Sequence, residues 1–145
     1  MKSYAQQAAA RWRGTRQRGK GTINTPSAAL KMALHATGGH TRRRGTNPAE
    51  LLATAVAGSF SLTLASELGE AGYKPREIDT TATVTLEYLV ARWTVTQIYL
   101  DVTATVPGVA ECDFVDATLQ AKTNCPIARA LDANIVMNAK LTRNE

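Results

Sequence analysis

The sequence TNPAELLATAVAGSFSLTLASELG, residues 46–69, predicts a long helix around which the rest of the chain is organised. Asn47 is a favourable N-cap, Pro48 suits the first helical position, and Glu50 favours the positive end of the helix dipole. The sixteen residues after Glu50 carry no charge. Apolar side chains cover so much of the circumference that we expect the helix to be buried, along one stripe and its flank: Leu51, Ala55, Gly58, Leu62 and Ala65, then Leu52, Val56, Phe60 and Leu64.

This helix is too short and too rich in Ser, Thr and Gly to be interpreted as a membrane span, which needs about 20 apolar residues. At its centre, the Gly58-Ser59 pair leaves room for another group to approach closely. We therefore expect a core helix over residues 46–71 with a candidate site halfway along it.

The length of the chain, 145 residues, fits one domain or one half of a shared dimer core. Its amino-terminal residues lack an apolar signal segment, which favours a cytoplasmic location. Two cysteines, Cys112 and Cys125, are too few for a disulfide framework and suit a reducing compartment.

Charge is distributed unevenly along the chain. Residues 1–49 hold 10 of the 17 Lys and Arg and no acidic residue, whereas residues 50–145 hold all 12 acidic residues. Such asymmetry is found at nucleic-acid or membrane surfaces, but also where a basic arm packs on an acidic body of the same or a partner subunit. We favour the packed arm over a nucleic-acid partner, since no helix-turn-helix or RNA-binding signature accompanies the charge.

The remaining patterns predict an α+β fold in one domain. A basic, β-rich arm over 1–45 precedes the central helix, and a β-hairpin, a helix pair and a closing strand fill 80–145. We predict strands at 9–15 and 22–25, an ambiguous segment at 28–39, a hairpin within 80–106 turning near 89–92, helices at 109–124 and 126–131, and a strand at 135–141. In the first of these helices we expect Phe114, Val115 and Leu119 to face inward.

Cys125 is the most informative residue for chemistry. At the start of the helix that Pro126 opens, its sulfur would face unpaired backbone N–H groups and the positive end of a helix dipole, which stabilise a thiolate. A buried, inert cysteine is the alternative. Glu111 and Asp113 flank Cys112 and disfavour a thiolate there, so we interpret Cys112 as structural. No spacing of His and Cys residues indicates a metal site, and we expect no cofactor.

Three motifs resemble the osmotically inducible protein C and organic hydroperoxide resistance (OsmC/Ohr) family, most closely its OsmC branch. They are RGKGT at 18–22, TNPAELL at 46–52 continuing to AGSFS at 57–61, and NCP at 124–126. The resemblance implies a long central helix wrapped by antiparallel sheets, in an intertwined homodimer with two sites at the subunit interface. It also implies reduction of organic hydroperoxides by a peroxidatic and a resolving cysteine, with a dithiol such as dihydrolipoamide as reductant.

The chain departs from the family pattern at the site itself. Cys125 matches the resolving cysteine, but Ser59 occupies the peroxidatic position, and Ala49 stands where the family has its active-site glutamate. The arm also lacks the family's arginine segment, for which Arg18 or an arginine at 42–44 could substitute. From the resemblance we expect the substrate to be bound by four residues: Arg18, Arg43, Glu50 and Phe60.

Three explanations of Ser59 stay open: a cysteine-to-serine replacement, natural loss of peroxidase activity with retention of the pocket, or one-cysteine chemistry through Cys125. A serine hydroxyl is hardly ionised at neutral pH and forms no sulfenic acid, so the two-cysteine cycle cannot run unchanged. The leading hypothesis is an altered or impaired OsmC-type peroxidase. Its alternative is a non-catalytic protein that binds an apolar small molecule at a dimer interface.

Overall fold

The structure is a computed structural model that describes residues 1–37 and 44–142. It confirms an α+β fold and divides the chain into two compact units, residues 1–51 and 52–145. The elements in chain order are β1 Ala9–Arg13, β2 Lys20–Asn24, β3 Lys31–Leu34, α1 Pro48–Glu70, β4 Glu77–Leu89, β5 Arg92–Thr105, α2 Glu111–Asn124, α3 Pro126–Arg129 and β6 Asn134–Leu141.

The first unit is built on an antiparallel sheet in the order β1-β2-β3. Trp12 lies directly opposite Gly21, and a Cβ added to Gly21 would stand 2.5 Å from the indole ring. Glycine at this position therefore lets the indole lie flat on the neighbouring strand. The segment that was ambiguous in the sequence contains the short strand β3. Leu34 of β3 forms an isolated parallel β-bridge with Thr46.

The start of α1 has the predicted cap. The Asn47 side chain accepts a hydrogen bond from the Glu50 backbone N–H at 3.0 Å, which satisfies one of the orphan donors of the first turn. Pro48 occupies the first helical position as expected. The bridge to β3 precedes this cap by one residue, so the helix begins at a fixed point of the sheet.

The core of the second unit lies between α1, α2 and a three-stranded sheet in the order β4-β5-β6. One face of α1 is fully buried, at four positions: Val56, Phe60, Leu64 and Leu68. Alternate residues of β5 are buried as well, namely Ile98, Leu100, Val102 and Ala104. The sheets that we expected to be antiparallel are so with one exception, since β6 pairs with β5 in parallel.

Burial of α1 on all sides is not observed within the single chain. Ala55 and Gly58 are exposed, Leu62 is 73% exposed, and no atom lies within 4 Å of a Cβ added to Gly58. Contrary to the expectation from sequence, α1 is long and apolar enough to cross a membrane, by length and composition alone. We interpret it as a core helix, because its Phe60 face packs into the hydrophobic core of the unit.

The expected inward face of α2 is correct at Phe114 and wrong at two positions. Val115 and Leu119 are 46% and 51% exposed. The buried face consists instead of Phe114, Ala117, Thr118 and Ala121. Three of these four residues are small, so this face of α2 can pack closely against the rest of the core. The pattern of large apolar residues in the sequence did not indicate this face.

The β4–β5 hairpin turns where predicted, through the two-residue loop Val90-Ala91 between paired Leu89 and Arg92. Both loop residues have positive φ, 49° and 61°. This matches the type I′ turn that two-residue hairpins favour, for which Asn-Gly is the usual sequence. A β-branched valine in this region of backbone space is strained.

We expect the double substitution Val90→Asn with Ala91→Gly to raise the free energy of unfolding by about 1 kcal/mol, because it removes the strain of two left-handed residues. Val90 is 89% exposed, so its replacement removes little packing. Urea denaturation at fixed protein concentration measures the change. Val90→Thr keeps the β-branch and should give no gain in the free energy of unfolding. An equal gain in this control, or no gain in the double variant, would show that the loop is not strained.

Candidate functional site

Ser59 and Cys125, matched by the resemblance to the peroxidatic and resolving positions, meet inside the second unit. The Cys125 Sγ lies 3.3 Å from the Ser59 Oγ, with the thiol placed to donate a hydrogen bond to the hydroxyl. Cys125 is fully buried in the core, whereas Ser59 is half-buried. The two residues are 66 positions apart in sequence, so the contact depends on the packing of α1 against the α2–α3 junction.

Pro126 is the residue that places Cys125. A proline disfavours helical backbone at the residue before it, and Cys125 accordingly adopts φ −57° and ψ 114°. Cys125 thereby ends α2, where its N–H donates to the Ala121 carbonyl at 2.9 Å, and caps α3, where its carbonyl accepts from Arg129 N–H at 3.0 Å. Cys125 is the N-cap residue of α3 as predicted, but its side chain makes no capping hydrogen bond, and α3 has only four residues. The expected contact of the sulfur with the N–H groups of α3 is therefore not observed, and the thiol donates to Ser59 instead.

Ser59 is held by the regular backbone of α1. Its carbonyl accepts a hydrogen bond from the Thr63 hydroxyl at 2.8 Å. Phe60, the next residue, is anchored in the core, so the rotation of α1 that aims Ser59 at Cys125 is fixed by burial. Gly58, the preceding residue, is exposed, and a Cβ added to it would meet open space.

Two further hydrogen bonds fix α2, and with it Cys125. The Asn124 side-chain amide donates to the Glu67 carboxylate on α1 at 2.9 Å, two turns beyond Ser59. At the other end of α2, the Tyr73 hydroxyl donates to the Asp113 carboxylate. This hydrogen bond, and to a lesser degree burial, raises the pKa of the Tyr73 phenol.

Sequence reasoning missed Glu67, Asn124 and Tyr73 as residues that position the site. A signal existed for Asn124 alone, because it is adjacent to Cys125 in the matched NCP motif. Glu67 is the first carboxylate after the uncharged stretch of α1, but nothing in the sequence indicates its partner across 57 positions.

Of the four residues expected to bind substrate, Phe60 belongs to the same unit as the Ser59–Cys125 pair. Phe60 is adjacent, but its side chain is fully buried in the core. Glu50 lies in the first turn of α1, where its carboxylate accepts the Thr46 hydroxyl at 2.8 Å, and Arg18 is exposed in the β1–β2 turn; both belong to the first unit. Arg43 lies outside the described residues. Their substrate roles stay predictions.

Chemically, this site offers one buried thiol, one hydroxyl and an apolar surrounding. Within residues 1–37 and 44–142, no group of three His, Cys, Asp or Glu side chains could hold a metal ion. The other thiol, Cys112, is exposed near the start of α2, away from the packed position expected of a structural cysteine. Of the two cysteines, only Cys125 is therefore packed in the protein interior.

Comparison with known proteins identifies the family of the chain. The family described as OsmC-like protein matches residues 38–140. The peroxiredoxin OsmC of Escherichia coli K12 is 40% identical over 135 residues, which cover 91% of this chain and 93% of that protein.

Solved structures share the fold at lower identity. An OsmC-like protein from Mycoplasma pneumoniae has a TM-score of 0.79 at 15% identity, covering 98% of this chain and 100% of its own. An organic hydroperoxide resistance protein from Elizabethkingia anophelis has a TM-score of 0.71 at 22% identity, covering 99% and 100%. On the family match and the 40% identity, this chain belongs to the OsmC-like protein family.

Proposed function

We propose that this protein is a thiol-dependent hydroperoxide-handling protein of the OsmC type, whose peroxidase chemistry is limited by Ser59. The observation that carries the proposal is the 3.3 Å contact between Ser59 Oγ and Cys125 Sγ. It is supported by the relative named a peroxiredoxin at 40% identity. Two side chains in van der Waals reach form the arrangement that a thiol–thiol relay needs, with one of the two sulfurs replaced by oxygen.

In such a relay, a thiolate sulfur attacks one oxygen of the hydroperoxide and the O–O bond breaks. The alcohol leaves with a proton and the sulfur becomes a sulfenic acid, which a second thiol converts to a disulfide with loss of water. A serine cannot take the first role, because its hydroxyl stays protonated at neutral pH. Only Cys125 can become the sulfenic acid in the pair, and an external dithiol such as dihydrolipoamide must then reduce it.

Burial makes this one-cysteine route slow. Cys125 is fully buried, so a hydroperoxide reaches it only after local opening or from the side of Ser59. The half-buried Ser59 hydroxyl and the open space at Gly58 favour approach from that side. We place this activity in a reducing cytoplasm, where an external thiol is available and neither cysteine is oxidised.

The second candidate function is non-catalytic binding of an apolar small molecule. It is favoured by the exposed apolar side of α1 around Gly58 and Leu62, which adjoins the site. If the protein only binds, native mass spectrometry will detect a retained apolar ligand and no variant of the pair will turn over hydroperoxide.

The same exposed side of α1 supports our proposal of a homodimer. Leu62 is 73% exposed on a helix whose sixteen residues after Glu50 carry no charge. An apolar helix face of this kind is costly to leave in water and is typical of an interface. A second copy of the chain, seated on this face, would cover it and close the open side of the site.

We expect Ser59→Cys to raise the rate of cumene hydroperoxide consumption with dihydrolipoamide by at least about a hundredfold, because a thiol at neutral pH is partly thiolate and far more nucleophilic than serine. The unmodified chain should show slow turnover that Cys125→Ser abolishes. Cys112→Ser is the matched control and should leave the rate unchanged. Absence of turnover in both the unmodified chain and Ser59→Cys would contradict the peroxidase proposal and leave ligand binding.

For assembly, we expect light scattering to give twice the chain mass of 15.6 kDa. Leu62→Glu should shift the protein to monomer, because it places a charge in the proposed apolar interface. Leu119→Glu, at an exposed leucine on α2, is the matched control and should remain dimeric. A monomeric unmodified chain, or equal dissociation of both variants, would overturn the proposed interface.

A further inference from the structure

The sheet of the first unit separates its side chains into two chemically different faces. In an antiparallel pair, residues directly opposite each other point to the same side of the sheet. Arg11 pairs with Thr22, Arg13 with Lys20, and Asn24 with Lys31. One face, which we call the basic face, therefore presents four cationic side chains: Arg11, Arg13, Lys20 and Lys31.

The opposite face of the same sheet is apolar. It carries Trp12 over Gly21, the buried Ile23, and the half-buried Met32 and Leu34. The alternation is therefore that of a sheet with one side toward an apolar layer and one side toward water. The four cationic side chains of the basic face are all exposed.

Within residues 1–49, no acidic residue compensates the charge of the basic face. Residues 1–49 contain no Asp or Glu, and within the described residues none of the four cations forms an ion pair. Arg13 and Lys20 stand directly opposite each other, an arrangement of like charges that destabilises a strand pair. An anion bound across β1 and β2 would remove this repulsion.

The dimensions of the basic face suit a row of anions better than a single one. Arg11 and Arg13 are separated by about 7 Å along β1, and β3 lies roughly 10 Å across the sheet from β1. Three of the cations and Thr22 border a shallow depression of about 290 Å³. The short neutral side chains of Thr22 and Ala33 between the cations leave the face flat and accessible.

Although the sequence favours a packed arm, the strand register places four exposed cations on one face, and we propose that the basic face binds the phosphate backbone of nucleic acid without sequence preference. Charge complementarity supports phosphate as the ligand, and the spread of the cations supports a polymer. Strands β1, β2 and β3 place no Phe, Tyr or Trp side chain on this face, since Trp12 lies on the other side, so we expect contacts mainly to the backbone. It also lacks large apolar side chains that would enter a lipid layer. This site is independent of the Ser59–Cys125 pair and of the proposed peroxidase activity.

Fluorescence anisotropy with a labelled DNA duplex of mixed sequence, about 20 base pairs long, tests the proposal. We expect binding at about 50 mM KCl that weakens with salt, with a slope of log affinity against log salt of about −3 for three to four phosphate contacts. Arg11→Gln with Arg13→Gln should lower the affinity and reduce the magnitude of the slope by about two.

Lys74→Gln with Lys140→Gln removes the same charge from exposed positions outside the face and is the matched control. It should retain the affinity and the slope. Thr22→Glu, which adds an acid opposite Arg11, should also weaken binding and keeps the test valid if the arginine variant does not fold. Circular dichroism reports on folding.

Three results would overturn the proposal. The first is no binding at low salt, and the second is equal loss in the face variant and the matched control, which would indicate an effect of net charge alone. The third is a change of oligomeric state in the face variants with no duplex binding, which would assign the face to an acidic surface of a second copy. The first two outcomes concern binding of the duplex alone, so they are distinguishable from failure of the proposed function, which the hydroperoxide assay measures separately.

Discussion

The structure of the second unit depends on the packing of α1 against β5. Val56, Phe60, Leu64 and Leu68 recur at every fourth position and are fully buried in one hydrophobic core with alternate residues of β5. Burying one such side chain contributes about 1.5–3 kcal/mol, so this face sets both the position and the rotation of the helix. Every other residue of α1, including Ser59, takes its direction from this constraint. A polar substitution of Phe60 would therefore disrupt both the hydrophobic core and the orientation of Ser59.

The candidate site follows from that packing because both of its members belong to the core. Ser59 precedes the buried Phe60, and Cys125 is buried where Pro126 forces α2 to end. The contact at 3.3 Å is thus a product of two hydrophobic constraints and one proline, and the hydrogen bond between Asn124 and Glu67 reinforces it. The scaffold keeps the geometry of a two-thiol relay while the identity of one atom, oxygen for sulfur, decides which chemistry it can perform.

Local signals predicted much of this fold from sequence. The cap at Asn47 and the N-cap position of Cys125 each depend on a few neighbouring residues, and the structure has both. The turn near Val90 follows instead from the length of the β-rich stretch, which is too great for one strand, and the structure has it as well. The buried side of α2 was not predictable at Val115, because small residues on the other side allow closer packing than large ones. Parallel pairing of β6 and the partner of Glu67 depend on contacts distant in sequence. The basic face could not be predicted without the strand register, because composition gives the number of charges but not the side of the sheet on which they lie.

The contact between positions 59 and 125 is tested most directly by disulfide formation in Ser59→Cys, in a Cys112→Ser background. We expect mild oxidation to give an intramolecular disulfide, seen as loss of both free thiols and of two hydrogens by mass spectrometry, because a small side-chain rotation converts the 3.3 Å contact to bonding distance. Ser66→Cys in the same background places a thiol on the exposed side of α1 and should retain both thiols. If the Ser59→Cys thiols stay free, or pair no faster than those of Ser66→Cys, the two positions are not held in contact and the proposed relay has no structural basis.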